Sequence, residues 1–257
     1  MNWPSVCLLG ALGCSAGSAG ALPDAGDLDL GAPPPAYVDG GAADASWPAV
    51  DGGFVVGDAG VVRSDRFITK LVSAEYGPCA GFGQALVPDI IEGPPVGGGT
   101  AMGSLDVLSL GNGGSIVVSF EPNAIVDGPG PDFIVFENPF LYGSPPHPYA
   151  EPGQVSVSDD GVTWLAYACT ATNASGPPYG TCAGWNPVFS NPSNGISPFD
   201  VSRAGGEAFD LKDLGLTHAR YVKIVDQGGE ACPSTGLKPT NNGFDLDAIA
   251  IVNAQTP

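Results

Sequence analysis

Basic residues are scarce in this chain. Lysine and arginine number 8 against 27 aspartates and glutamates, for a formal net charge of −19 among 257 residues. A surface of this sign repels the phosphate backbone of nucleic acids and the head groups of anionic membranes. We therefore expect no nucleic-acid partner. The charge suits cations, neutral sugars or basic partners, and it also has the simpler explanation of solubility.

Motifs of catalysis are missing as well. The two histidines, His147 and His218, have no nucleophile motif around them, and the chain contains no Gly-x-Ser-x-Gly, His-Glu-x-x-His or phosphate-binding loop. A pair of carboxylates could hydrolyse a glycoside, but acidic residues are so frequent here that coincidental pairs are expected. The sequence predicts a protein that is not an enzyme.

No run of 18 apolar residues occurs, so no transmembrane helix is predicted. Residues 1–14 form a short apolar leader, long enough for a signal peptide only. Its end, Ala11-Leu-Gly-Cys14, resembles a bacterial lipoprotein signal, which implies that Cys14 is lipidated. An ordinary secretory leader or a misassigned start codon remains an alternative. We expect export to the bacterial outer surface or outer membrane, with membrane contact only through this lipid.

Glycine (39) and proline (26) are abundant and unevenly used. Residues 15–64 are mainly Gly, Ala, Pro and Asp, with no basic residue before Arg63. Low hydrophobicity and charge of one sign cannot repay the entropy of ordering the chain. We predict a disordered tether over 15–64, followed by a folded domain over 65–257.

The folded domain is predicted to be all-β, a sandwich or jelly roll, because short strands alternate with turn signals and no segment shows helical periodicity. Residues 138–153 and 170–200 are long insertions, a length that usually accompanies function. The strands are expected at Phe67–Ser73, Leu105–Leu110, Ser115–Glu121, Asp132–Glu137, Val155–Ser158, Thr163–Cys169, Tyr221–Asp226 and Phe244–Val252.

The domain carries four cysteines, an even number that predicts disulfides in an exported chain. We favour Cys169–Cys182, which would close the base of the second insertion, and this choice leaves Cys79–Cys232. A metal site is the alternative, but no Cys-x-x-Cys spacing occurs.

Two acidic segments are candidate calcium sites. Asp127 and Asp132 flank a Gly-Pro turn and could hold an ion together with backbone carbonyls, although Asp127 could instead cap the turn. Asp132 and Glu137 point to opposite faces of their strand and cannot share an ion. Asp245 and Asp247 precede the apolar stripe of the last strand, where a carboxylate is costly unless it is paired or bound to a cation.

The two insertions carry aromatic side chains between prolines and glycines. Flat aromatic faces can stack on a sugar ring, and packing of the loops onto the domain is the alternative. We assign Trp164, at a strand start, to the core. The candidate ligand-binding residues are Tyr142, His147, Tyr149, Tyr179 and Trp185.

Several segments carry a resemblance to known families. Val155–Trp164 and Ala219–Asp226 resemble strands of discoidin-type (coagulation factor 5/8 C-type, galactose-binding-like) β-sandwiches, in which an acidic residue opening the last strand often joins a calcium site. Asp247 matches that position, and pairing with Arg220 or Lys223 is the alternative. A resemblance to secreted bacterial cell-surface proteins is carried by Gly81–Gln84, Leu108–Val118, Asp132–Asn138, Val155–Gly161 and Gly243–Asp247.

These resemblances imply a monomeric cell-surface lipoprotein that recognises a glycan or another extracellular ligand, such as a protein, with calcium as a stabilising ion. Three alternatives stay open. They are a structural or adhesive module without a small ligand, a glycoside-active enzyme, and capture of a small cofactor by the aromatic loops.

Overall fold

The computed structural model describes residues 66–171, 178–228 and 242–255, together with the backbone of 54–57 and 60–63. Short antiparallel strands dominate these residues, and the only helices among them are three short 3₁₀ segments, Gln84–Leu86, Asp89–Ile91 and Leu211–Leu214. The all-β prediction is confirmed. Within the same residues no helix has the length and apolar character needed to cross a membrane.

The strands are numbered here in chain order. They are β1 (Phe54–Gly57), β2 (Gly60–Arg63), β3 (Lys70–Glu75), β4 (Leu108–Ser109), β5 (Ser115–Ser119), β6 (Ala124–Val126), β7 (Phe133–Phe136), β8 (Phe140–Tyr142), β9 (His147–Tyr149), β10 (Gly153–Ser158), β11 (Leu165–Ala166), β12 (Glu207–Phe209), β13 (His218–Ala219), β14 (Tyr221–Asp226), β15 (Asp245–Leu246), β16 (Ala248–Ile251) and β17 (Ala254–Gln255).

The largest sheet has five strands in the order β11-β10-β14-β5-β3, all antiparallel neighbours. Strand β14 alternates strictly, with Val222 and Ile224 fully buried between half-buried residues. Strand β10 also sends alternate residues, Val155 and Val157, into the main core. Its intervening serines are buried too, so other parts of the chain cover the second face of this strand.

A three-stranded sheet, β12-β7-β16, packs on the same core from the other side. Strand β7 is buried on both faces: Phe133 and Val135 join the main core, while Ile134 and Phe136 join a second, smaller cluster. The two layers share one hydrophobic core, which is the arrangement of a β-sandwich.

Smaller pairings complete the described fold. Strand β6 lies between β13 and β17, β4 pairs with β15, and β8 pairs with β9. Strands β1 and β2 pair with each other inside the segment predicted as a tether. That pairing was not expected from composition, although each of the two strands carries a Val-Val pair that favours extended structure. The remaining tether and the leader with Cys14 lie outside the described residues.

An Asp-Gly turn, Asp160-Gly161, follows β10. Gly161 has a positive φ of 74°, and the exposed Asp160 carboxylate accepts hydrogen bonds from the backbone N–H groups of Val162 and Thr163. These bonds, with the Ser158 hydroxyl, hold the pKa of Asp160 well below its usual range.

The last predicted strand is interrupted at Asp247. Leu246 and its predecessor Phe244 lie in the main core, and so do Ile249 and Ile251, which means that the inward parity changes between Leu246 and Ile249. The uniform alternation expected over Phe244–Val252 is therefore wrong. The break occurs because β15 pairs with β4 whereas β16 pairs with β7.

Trp164 is not a core residue, contrary to the sequence-based assignment. Its ring is half-buried, with the Lys223 ammonium 4.6 Å from the ring centroid. Tyr167 takes the buried position on this segment and donates its hydroxyl hydrogen to the Asp210 carbonyl. An indole face with a cation over it is stable at a partly wet sheet edge.

The predicted Cys169–Cys182 disulfide is present, with a Cα–Cα distance of 4.6 Å. It closes the loop that carries Tyr179, and the Cys182 end is fully buried. Cys79 is also disulfide-bonded. Because Cys232 lies outside the described residues, the Cys79–Cys232 pairing stays a prediction.

The aromatic centre of the sandwich generates a first prediction. Phe133 stacks on Phe209 at 5.1 Å between ring centroids and meets Tyr167 edge-on at 6.2 Å. We expect Phe133→Ala to lower the free energy of unfolding by about 3–5 kcal/mol, because it leaves a cavity that rigid rings cannot fill. Urea denaturation followed by fluorescence measures this loss. Val162→Ala, at a side chain that is 82% exposed, is the control and should change stability little.

Candidate functional site

The first insertion folds into a hairpin that brings three predicted ligand residues together. In β8 and β9, Tyr142 lies opposite His147 and Phe140 opposite Tyr149. Phe140 and Tyr149 stack on each other at 5.2 Å. Tyr142 is 53% exposed, and its two ring neighbours, His147 and Tyr149, lie at 53° and 75° to its plane. Neither of them stacks parallel on the Tyr142 ring.

The second insertion uses its aromatic residues differently. The Trp185 indole N–H donates to the Cys182 carbonyl at 3.0 Å, and the residue is half-buried. Tyr179 is half-buried and accepts a backbone hydrogen bond from Thr170 beside the disulfide. The described contacts of Trp185 and Tyr179 thus fix the loop. Neither is among the ring contacts of the hairpin.

Glu207, which the sequence reasoning missed, anchors this second loop. Its carboxylate accepts hydrogen bonds from three successive backbone N–H groups, those of Gly184, Trp185 and Asn186, at 2.6–2.9 Å. Burial raises the pKa of Glu207 to about 7, and the three donors offset this effect only in part. No local signal marks Glu207, because its partners are backbone groups more than twenty residues earlier.

Asp127 and Asp132 do come together across their turn, and Asp210 joins them, with carboxylate oxygens within 4.8 Å of one another. Asp132 is fully buried and already saturated with donors. One oxygen accepts from Gly128 N and Asn253 Nδ2, and the other from Leu211 N, all at 2.8–2.9 Å. The described bonds of Asp132 are those of a structural residue that ties three segments together.

Asp247 lies apart from both acidic clusters of the described residues. It is 3% exposed, and both its carboxylate oxygens accept from the backbone N–H of Val96 at 3.1 Å. Burial, with a smaller contribution from Asp106, raises the pKa of Asp247 well above its usual range. Arg220 pairs with Asp159 instead, and Lys223 lies over Trp164, so the expected alternative partners of Asp247 are wrong.

Asp245, the fourth predicted metal ligand, belongs to a cluster that the sequence did not reveal. Its carboxylate and those of Glu137 and Glu151 lie within 4.8 Å of one another. Glu137 follows β7 and is 2% exposed, Asp245 opens β15 and is 6% exposed, and Glu151 follows the aromatic hairpin and is half-buried. The three residues come from separate segments, joined only by tertiary pairing. As the parity argument predicts, Glu137 and Asp132 belong to different clusters.

The pKa values of all three carboxylates of this cluster are raised. Burial is the largest cause for all three, and it brings the pKa of Glu151 to about 8 and that of Asp245 to about 6. The pKa of Glu137 rises well above its usual range through burial and then through Asp245 and Glu151. The charged groups of the described residues that act on the three are Glu151, Asp226 and Asp245.

The structure thus shows an all-β, sandwich-like protein with aromatic residues in its loops and with buried acidic clusters. No protein-family model matches the chain, and comparison with curated proteins and with solved structures finds no match either. The function must therefore be argued from the residues themselves.

Asp132 provides a prediction that separates a structural role from a metal site. We expect Asp132→Ala to lower the free energy of unfolding by about 3 kcal/mol, because it leaves three donors, one of them buried and two half-buried, without their acceptor. The loss should be the same in calcium and in chelator, as measured by urea denaturation. Asp127→Ala, at the exposed carboxylate of the same cluster, is the matched control and should cost little. A loss for Asp132→Ala that appears only in calcium would contradict the structural role.

Glu207 provides a prediction about pH. Its pKa is about 7 in the folded protein and near 4.5 when unfolded, so folding takes up a proton between these values. The contribution of Glu207 to stability is therefore complete below about pH 4.5 and declines as pH rises toward 7. The size is a few kcal/mol, since one pKa unit corresponds to about 1.4 kcal/mol.

Other buried carboxylates titrate as well, so the measurement is a difference between two proteins. The unfolding free energy of wild type minus that of Glu207→Gln should fall between pH 5 and pH 8. Parallel curves over this range would show that Glu207 does not titrate there. Glu121→Gln, at an exposed glutamate, is the control and should leave the slope unchanged.

Proposed function

We propose that this protein is an exported, non-enzymatic binding module that recognises a glycan through the aromatic hairpin β8–β9. The proposal includes a β-sandwich of the galactose-binding-like, jelly-roll type and an N-terminal tether lipidated at Cys14, which places a monomeric domain on the bacterial outer surface. Calcium acts as a stabilising ion. The leader and most of the tether lie outside the described residues and enter only through the sequence.

The observation that carries this proposal is the exposed ring of Tyr142. Its ring is half exposed at the end of a hairpin, and its neighbours meet it edge-on or tilted. Tyr149 is held in place by stacking on Phe140, so the hairpin has a firm aromatic base beneath an accessible ring. An apolar face flanked by an imidazole and a phenol hydroxyl suits the C–H face and hydroxyls of a sugar.

Two alternatives are weaker on the described geometry. A purely structural module would be expected to bury its loop aromatics, and Tyr142 and His147 are both exposed. A glycoside-active enzyme needs two carboxylates that reach one substrate. The carboxylate oxygens of Glu137 and Asp245 lie within 4.8 Å of each other, closer than the roughly 5–5.5 Å of a retaining pair, and their 2% and 6% exposure keeps a sugar ring away from them.

A glycan array probed with the purified full-length chain, in calcium, tests the proposed function. The oligosaccharide bound best is then titrated by calorimetry against Tyr142→Ala, which we expect to weaken binding about tenfold, or roughly 1.4 kcal/mol. Tyr76→Ala removes a tyrosine that is 43% exposed outside the hairpin and should leave the dissociation constant unchanged. The hairpin proposal fails when no glycan is bound, or when Tyr142→Ala binds as well as wild type.

A further inference from the structure

Glu137 has a carboxylate oxygen that the described structure leaves without a hydrogen bond. Its Oε1 accepts from Asp245 N at 3.3 Å, whereas Oε2 is buried and has no partner among the described residues. An unpaired buried carboxylate oxygen costs far more than a hydrogen-bonded one. This oxygen belongs to the cluster with Glu151 and Asp245, where a cation would provide what is missing.

Within residues 66–171, 178–228 and 242–255, the groups seen to bond the cluster are neutral, and they include the Asn138 backbone N–H at Glu137 and the Tyr149 side chain at Glu151. Asn138 Nδ2 donates to Asp245 Oδ2 at a long 3.3 Å, Gly243 N donates to Glu151 Oε1, and the Ser109 hydroxyl interacts with Asp245. None of these groups carries a positive charge. Three carboxylates so close together repel each other strongly at low local dielectric.

A fourth carboxylate nearby is fully used by the backbone. Asp226 accepts from Gly113 N and Gly228 N on one oxygen and from Phe244 N on the other, at 2.8–2.9 Å. It adds negative potential to Glu151 and Asp245 without offering a free ligand. Asp226 therefore adds negative charge beside the cluster, but its own oxygens are already hydrogen-bonded to the backbone.

We propose that Glu137, Glu151 and Asp245 form a binding site for a hard divalent cation, calcium, beneath the aromatic hairpin. All the ligands are oxygens, as calcium requires. Two ligands at about 2.3–2.6 Å from one ion lie at most roughly 4.6–5.2 Å apart, and the observed limit of 4.8 Å fits within that range. Glu151 is the least buried of the three ligands, so an ion would enter the site from the side of Glu151.

The site is joined to the hairpin by a side-chain hydrogen bond between Tyr149 and Glu151. Tyr149 also stacks on Phe140 at the base of the hairpin. An ion that fixes the Glu151 carboxylate therefore also fixes Tyr149, and through it the ring of Tyr142. This consequence, calcium-dependent recognition, rests on the proposed function, whereas the cation site does not.

The test uses the full chain, with calcium chloride as the probe. Calorimetry of the chelator-stripped protein should show one site, and calcium at about 100 times its dissociation constant should raise the melting temperature by roughly 5–10 °C. Sodium chloride at equal ionic strength controls for simple screening of an acidic chain. A shift that sodium chloride reproduces would overturn the proposal.

Variants locate the ion. Glu137→Gln should abolish the calcium shift, because it removes one carboxylate ligand without changing side-chain size. Asp127→Asn, in the other acidic cluster, should keep the full shift. A shift retained by Glu137→Gln, or lost only in Asp127→Asn, places the ion elsewhere and overturns the site. Glu151→Gln, at the least buried position, repeats the test if Glu137→Gln does not fold.

Glycan binding separates the two proposals. Calcium binding is measured without any glycan, so its result tests the cation site independently of the proposed function. A protein that binds calcium at Glu137 but no glycan retains the cation site and loses the recognition proposal. A protein that binds its glycan equally well in calcium and in chelator has no coupling through Tyr149.

Discussion

Buried carboxylates that accept hydrogen bonds from backbone N–H groups hold the loops of this sandwich in place. The chain has only 8 lysines and arginines, and the ion pair of Arg220 with Asp159 lies at the surface. Backbone N–H groups take the place of basic side chains, and they are numerous in loops that lack ladder partners. The residues that work in this way are Asp132, Glu207, Asp226 and Asp247.

This constraint explains why the acidic clusters differ. At Asp132 every oxygen has a donor, so the carboxylate needs no ion, and its proximity to Asp127 and Asp210 is a consequence of turn geometry. At Glu137 one oxygen lacks a donor within the described residues, and the neighbours are charges of the same sign. Proximity of acids alone does not distinguish a structural corner from a cation site. The two kinds of cluster are distinguished by whether each carboxylate oxygen accepts a hydrogen bond.

The sequence could reveal what depends on local periodicity. Strand β14 follows its predicted bounds because apolar and polar residues alternate between a core and a partly wet face. The Asp160-Gly161 turn follows from the positive φ that glycine allows. Sequence position also predicted the Cys169–Cys182 closure, since Cys169 directly precedes the second insertion and Cys182 lies within it.

The features that the sequence did not reveal depend on which strands pair in the folded protein. The change of inward parity between Leu246 and Ile249 arises because this segment leaves one partner strand for another, and no residue type announces such an exchange. Glu137 and Asp245 come together for the same reason. The Asp247 N–H donates to the Phe136 carbonyl, and this bond holds the two segments side by side. Trp164 was misassigned because a lone tryptophan near a turn is consistent with either a core or a cation at the edge.

The position of Glu151 links the two halves of the proposed function. It directly follows the hairpin that carries the exposed aromatic rings, and its carboxylate enters the acidic cluster formed by the ends of strands in the sandwich. A hairpin of three-residue strands has little stability of its own, so a carboxylate at its base that is pulled toward an ion would restrict its motion. Preorganising a small aromatic surface in this way lowers the entropy cost of binding a flexible ligand. The cation would then contribute to recognition without touching the ligand.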